Sequence, residues 1–165
     1  MSRPEAHPIA VDREEMARAE RSLEGLFRLS MGRRTLSYQA NVVGVEVSRA
    51  GYAILRTLDD ESPLAMGDIA ARCHMDPAVV ARQVDTLVKA GLVKRVDHVG
   101  DGRRRVIEPT ERGADVYGRI IEMRTEFMSR VLADWSSTDR ARLVALVDRL
   151  VGDLQRHRFS TDEEA

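Results

Sequence analysis

The 165-residue chain has little of what staples or anchors a protein. Its single cysteine, Cys73, excludes an intramolecular disulfide framework and most zinc ligand sets. Aromatic residues make up only 4%, so a core has to be built from Leu, Val, Ile, Ala and Met. No window approaches the roughly 18 apolar residues of a membrane span. The opening residues, MSRPEAHPIAVDREE, lack the apolar run of a signal peptide. The expectation is a cytoplasmic protein with no membrane partner.

Catalytic constellations are also missing. There is no Gly-rich phosphate loop, no Cys/His or Ser/His pairing that spacing recommends, and no carboxylate pair outside solvated helix faces. Asp59-Asp60-Glu61 reads as a solvated helix end. His7, His74, His98 and His157 are scattered without ligand spacing, so neither metal nor cofactor is expected and the chain does not read as an enzyme.

The composition, 43% hydrophobic and 32% charged, is that of an ordinary globular domain. The formal net charge of -1 argues weakly against nucleic acid until it is counted by region. From Arg82 to Arg105 there are seven basic residues (Arg82, Lys89, Lys94, Arg95, Arg103, Arg104, Arg105). Against them stand three acidic ones (Asp85, Asp97, Asp101), a local net of +4. Phosphate binding follows the local field, which makes this segment the candidate anion-facing surface.

Apolar residues recur helically from Asp12 through Met16, Ala19, Leu23, Leu26, Phe27 and Leu36, predicting one long helix to about Asn41. Gly25 and Gly32 lie on one face of it, either as tolerated helix glycines or where a partner helix comes close. Ser48 is suited to cap a second helix with Tyr52, Leu55 and Leu58 as its candidate core face, and Glu61-Ser62-Pro63 is a turn. A short helix then carries Ile69, Ala70 and Cys73 inward, where a free cysteine is most often a small core residue.

Asp76-Pro77 starts a helix that runs to Ala90, buries Val80, Val84, Leu87 and Val88, and stops at Gly91. Residues 92–96 and 105–108 are the two strand candidates, joined through Gly100-Asp101-Gly102. Thr110 caps a helix whose apolar row is Val116, Ile120, Met123, Phe127 and Val131. Ser136 or Ser137 caps the last helix, with Leu143, Val147, Leu150 and Leu154 in a row that Val144, Leu146 and Val151 widen.

These elements predict a mainly α fold with a small β-wing: a winged helix-turn-helix domain plus N- and C-terminal dimerisation helices. The expected organisation is a mobile arm at 1–11 and a dimerisation helix with its connection at 12–47. A DNA-binding module follows at 48–113, C-terminal dimerisation helices at 114–157, and an acidic tail at 158–165. The apolar stripes exceed what one small core can cover, which argues for an interface, and a two-fold dimer would place two recognition helices about one DNA turn apart.

The chain resembles the MarR family of bacterial transcriptional regulators over roughly Asp12 to Arg156. The resemblance rests on L-V-K-A-G-L-V-K-R from Leu87 to Arg95, D-G-R from Asp101 to Arg103, and T-E-R-G from Thr110 to Gly113. It implies a homodimer that binds double-stranded DNA at a palindromic operator, commonly as a repressor, and lets go when a small aromatic or lipophilic ligand binds. Two departures stand out. Ala78-Val79-Val80-Ala81 replaces the Ser or Thr usual early in the recognition helix, and Pro109 stands where Leu is common.

The candidate recognition-helix contacts are Ala78, Val79, Ala81, Arg82, Gln83 and Asp85. Small apolar groups can touch thymine methyls, and Arg82 can bond guanine or phosphate; Gln83 is either a contact or simply half-exposed. At the wing, the family pattern has Asp101 orient an Arg while Arg103 enters the minor groove, with Arg104 and Arg105 on alternate sides of the strand. Lys89, Lys94 and Arg95 are candidate phosphate contacts or intramolecular ion-pair partners. Phe27, Tyr38, Tyr52 and Tyr117 are candidate ligand-pocket walls that can equally be plain core. The alternative function is a winged-helix module for protein–protein assembly, which steep salt dependence of DNA binding would rule out.

Overall fold

A computed structural model describes residues 12–30, 33–98 and 101–156. The expected arm at 1–11 and the tail at 158–165 lie outside these residues. The chain divides into two compact units, Met1–Ile120 and Ile121–Ala165.

The first unit begins with α1 (Arg13–Ser30) and α2 (Arg33–Val43). Together they cover the stretch read as one helix from Asp12 to about Asn41, and residues 31–32 between them lie outside the described residues. Gly44, at φ +72°, follows the end of α2, in the left-handed region that glycine enters without strain. Across this turn Gln39, fully buried on α2, donates from Nε2 to the Val47 carbonyl at 3.4 Å. Nothing in the sequence pattern marked this buried amide.

Helix α3 (Arg49–Asp60) is capped as expected: the Gly51 N–H donates to Ser48 Oγ at 2.9 Å. Its 3.6-residue period places Ile54, Leu55 and Leu58 inside. A strand absent from the sequence reading, β1 (Leu64–Ala65), precedes α4 (Met66–Cys73). Two residues are too few to show the alternation by which a strand is recognised.

Helix α4 ends on His74 in the left-handed conformation, φ 51° and ψ 42°. The His74 and Met75 N–H groups close the turn onto Ala71 O (3.2 Å) and Ala70 O (3.0 Å), and α5 (Pro77–Lys89) starts two residues later. This is the helix-turn-helix. Cys73 lies half-buried with its Sγ 3.3 Å from Thr57 Oγ1.

β2 (Val93–His98) and β3 (Asp101–Pro109) form the wing, longer at both arms than the sequence suggested. The sheet order is β1-β3-β2, all antiparallel, with Leu64 opposite Ile107 and Val93 opposite Pro109. Pro109 occupies the last position of the central strand, past the reach of β1, where its missing N–H breaks no shared ladder. Ile54, Leu55, Leu58, Ile69, Val80, Val84, Leu92, Ile107 and Ile120 converge beneath this sheet as one core. Each such side chain, fully withdrawn from water, contributes about 1.5–3 kcal/mol.

Helix α6 (Glu111–Val131) starts in the first unit, where it buries Val116, Tyr117 and Ile120. In the second unit its apolar row continues exposed through Phe127, Met128 and Val131. α7 (Ser137–Arg156) is capped by Ser136, whose Oγ accepts from Asp139 N at 3.1 Å and donates to Asp139 Oδ2 at 2.6 Å. None of its residues is buried. No helix among the described residues is long and apolar enough to cross a membrane.

Candidate nucleic-acid interface

The candidate interface is built on α5. Asp76 Oδ1 accepts from the N–H groups of Ala78 (2.7 Å) and Val79 (3.3 Å), and Pro77 occupies the first turn, where its missing N–H costs nothing. Val80, Val84 and Leu87 point into the core. The opposite stripe, four, three and four residues apart, is Ala78, Arg82, Asp85 and Lys89, and all four are exposed. Val79 and Ala81 are half-buried on the flanks.

Gln83 belongs to neither stripe. It is half-buried and its Oε1 accepts from Ser48 Oγ at 2.7 Å, so the amide ties α5 to the first turn of α3. Sequence reasoning left Gln83 open between contact and half-exposure, because the partner lies 35 residues away.

The C-terminal end of α5 is held by the T-E-R-G segment. Gly91, at φ +69°, turns the chain out of the helix. Three successive carbonyls are then satisfied: Ala90 O by Arg112 Nη1 (2.9 Å), Gly91 O by Thr110 Oγ1 (2.7 Å), and Leu92 O by the Thr110 N–H (3.0 Å). Thr110 Oγ1 also accepts from Gly113 N at 3.0 Å, capping α6. Gly113 has no room for a side chain, since a Cβ there would sit 1.8 Å from the Leu92 carbonyl oxygen.

The basic residues divide sharply. Lys94 Nζ lies 2.7 Å from Glu108 Oε1 across the β2–β3 ladder, and Arg95 donates to Asp85 of α5. Arg105 Nε lies 4.0 Å from Asp97 Oδ1 with both side chains well exposed. Of the two readings that the sequence left for Lys94 and Arg95, the free protein adopts the intramolecular one. Asp85, a candidate recognition-helix contact, is paired with Arg95. Arg82 and Lys89 have no ion pair among the described residues. Asp101, Arg103 and Arg104 belong to β3, and their side chains lie outside the described residues.

Of the four candidate pocket aromatics, the structure brings Tyr52 and Tyr117 together, ring centroids 5.7 Å apart and planes tilted by 36°. Burial, and then the neighbouring Tyr52 and Asp59, push the Tyr117 phenol up to about 12. Phe27 on α1 and Tyr38 on α2 are more than half exposed.

A helix-turn-helix with an exposed second helix and a three-stranded wing defines a winged-helix module. Residues 47–104 match the model of the MarR family. An HTH-type transcriptional regulator of Mycobacterium tuberculosis, MT0903.1, is 28% identical over 105 residues, 64% of this chain and 73% of the relative. A MarR family protein from Bacillus stearothermophilus superposes with a TM-score of 0.70 at 19% identity, covering 88% of this chain and 99% of that one. PcaV, a transcriptional regulator of Streptomyces coelicolor solved with its natural ligand, gives 0.54 at 24% identity over 89% and 96%. The chain thus carries a segment that matches the MarR family and shares the winged-helix fold of these solved structures.

Proposed function

We propose that this protein binds a palindromic operator as a homodimer, represses transcription from it in the cytoplasm, and is released by a small aromatic or lipophilic ligand. The observation that carries the reading is the exposed stripe of α5 beside the wing, a helix presented for the major groove with a basic hairpin next to it. Arg82 supplies a guanine or phosphate contact, Ala78 and Ala81 reach thymine methyls, and Lys89 meets phosphate. Arg103 and Arg104 of the wing enter or flank the minor groove, oriented by Asp101.

The dimer is supported by apolar surface that a single chain leaves bare. Leu26, Phe27 and Leu29 on α1 are more than half exposed, as are Phe127 on α6 and Val144, Leu146 and Leu154 on α7. Contiguous rows of this kind are normally covered by a partner. We place the ligand near the Tyr52–Tyr117 pair, the two candidate aromatics that lie together; the similar regulator PcaV, solved with its natural ligand, supports the existence of a ligand. It can release DNA only by binding one arrangement of the two recognition helices more tightly than the other.

A nuclease footprint on the DNA flanking the gene tests the reading. The expected result is a two-fold symmetric protected site, with half-sites about one helical turn apart. Sedimentation should give a dimer at micromolar concentration. A monomer, or binding insensitive to salt, would sink the proposal.

A further inference from the structure

We propose that Asp85 acts as a resident phosphate mimic, holding Arg95 away from the DNA backbone and so limiting sequence-independent affinity. The inference rests on the DNA-binding reading above. Asp85 is the one acidic residue on the outward stripe of α5, between Arg82 and Lys89. An unaccompanied carboxylate there would face the phosphates of any duplex docked on this helix and repel them. The guanidinium of Arg95, on β2, donates to its Oδ1 instead.

A carboxylate and a phosphate can each offer a guanidinium a pair of anionic acceptor oxygens. While Asp85 takes that place, Arg95 cannot also release a counterion from DNA. The pair sits at the interface edge, with the Asp85 side chain 54% and the Arg95 side chain 34% exposed, so the guanidinium is within reach of a backbone once freed. Lys94 is similarly engaged by Glu108. The +4 segment therefore offers DNA fewer cations than its composition suggests, and both β2 cations are accounted for inside the fold. Asp85 is a positioning residue: it acts on DNA through Arg95.

The test is equilibrium binding across a salt series to a duplex of arbitrary sequence, using the full chain. Asp85→Asn keeps the side-chain shape and removes the charge that holds Arg95. The slope of log affinity against log salt should steepen by about 0.9 for each recognition helix on the duplex. The gain over wild type should then be about threefold larger per helix at 50 mM than at 200 mM salt. Asp85→Asn combined with Arg95→Ala should restore the wild-type slope. An unchanged slope in the single variant overturns the proposal. So does a steepened slope that persists in the double variant, because the effect would then not pass through Arg95. Wild type that binds no duplex would overturn the DNA-binding reading along with it, an outcome distinct from either.

Discussion

The hydroxyl of Ser48 does two jobs at once: it accepts the Gly51 N–H at 2.9 Å and donates to Gln83 Oε1 at 2.7 Å. The cap of α3 is thereby also a latch on the recognition helix. One small side chain sets both where α3 begins and how α5 lies against it.

Ser48→Ala removes cap and latch together. The expected loss is about 1–2 kcal/mol, the usual worth of an N-cap with one further hydrogen bond. Thermal unfolding should show a midpoint lower by roughly 2–8 °C for a chain of this size. Ser48→Thr, which keeps the hydroxyl, should recover most of it. An alanine variant as stable as wild type would remove the latch from the account.

Gly113→Ala tests the joint between the wing and α6. The new methyl would meet the Leu92 carbonyl oxygen at 1.8 Å, and that oxygen is backbone and already accepts from Thr110. Neither side can give without breaking the Thr110 clamp. We expect a loss of about 3 kcal/mol or more, in the range reserved for severe overpacking. Urea unfolding reads it as a lower midpoint at an unchanged slope.

Tyr117 supplies a pH dependence. Burial raises its phenol from the ordinary value of 10 to about 12, so the unfolded chain gives up this proton more readily than the folded one. The contribution to stability is therefore fully present below pH 10 and is lost as pH rises from 10 to 12. Tyr117→Phe should flatten that part of the stability profile, and phenolate absorbance of the native protein should lose a late-titrating component. A phenol that titrates at its ordinary value would contradict the burial.

Arg82, like Lys89, is an exposed cation of α5 without an ion pair among the described residues, and it lies in the middle of the outward stripe. Arg82→Ala should weaken operator binding by about 1–3 kcal/mol if it reads guanine, with relaxed preference at that base pair. If it meets phosphate, affinity falls evenly across sequences and the salt slope drops by about one. Arg103→Ala at the wing should weaken binding at least about tenfold. Unchanged affinity of both variants at physiological salt would detach this surface from DNA.

Local signals determined most of the elements by themselves. Ser48, Asp76-Pro77, Gly91, Thr110 and Ser136 announce helix ends through side-chain and backbone chemistry acting within a few residues, and each stands where that chemistry put it. The core row Val80, Val84 and Leu87 follows from the helical period alone. The resemblance to the MarR family was legible because the wing and T-E-R-G segments couple several such signals at fixed spacing.

Tertiary structure decided everything that depends on partners distant in sequence. β1 is a strand only because β3 lies beside it, and two residues carry no period of their own. Gln39 is buried because its amide reaches Val47 across a chain reversal. Gln83 belongs to Ser48, and Arg95 to Asp85, because packing brings α3, α5 and β2 together. Charge can be counted from sequence, but which cations remain available to a phosphate depends on distances, and only the fold sets those.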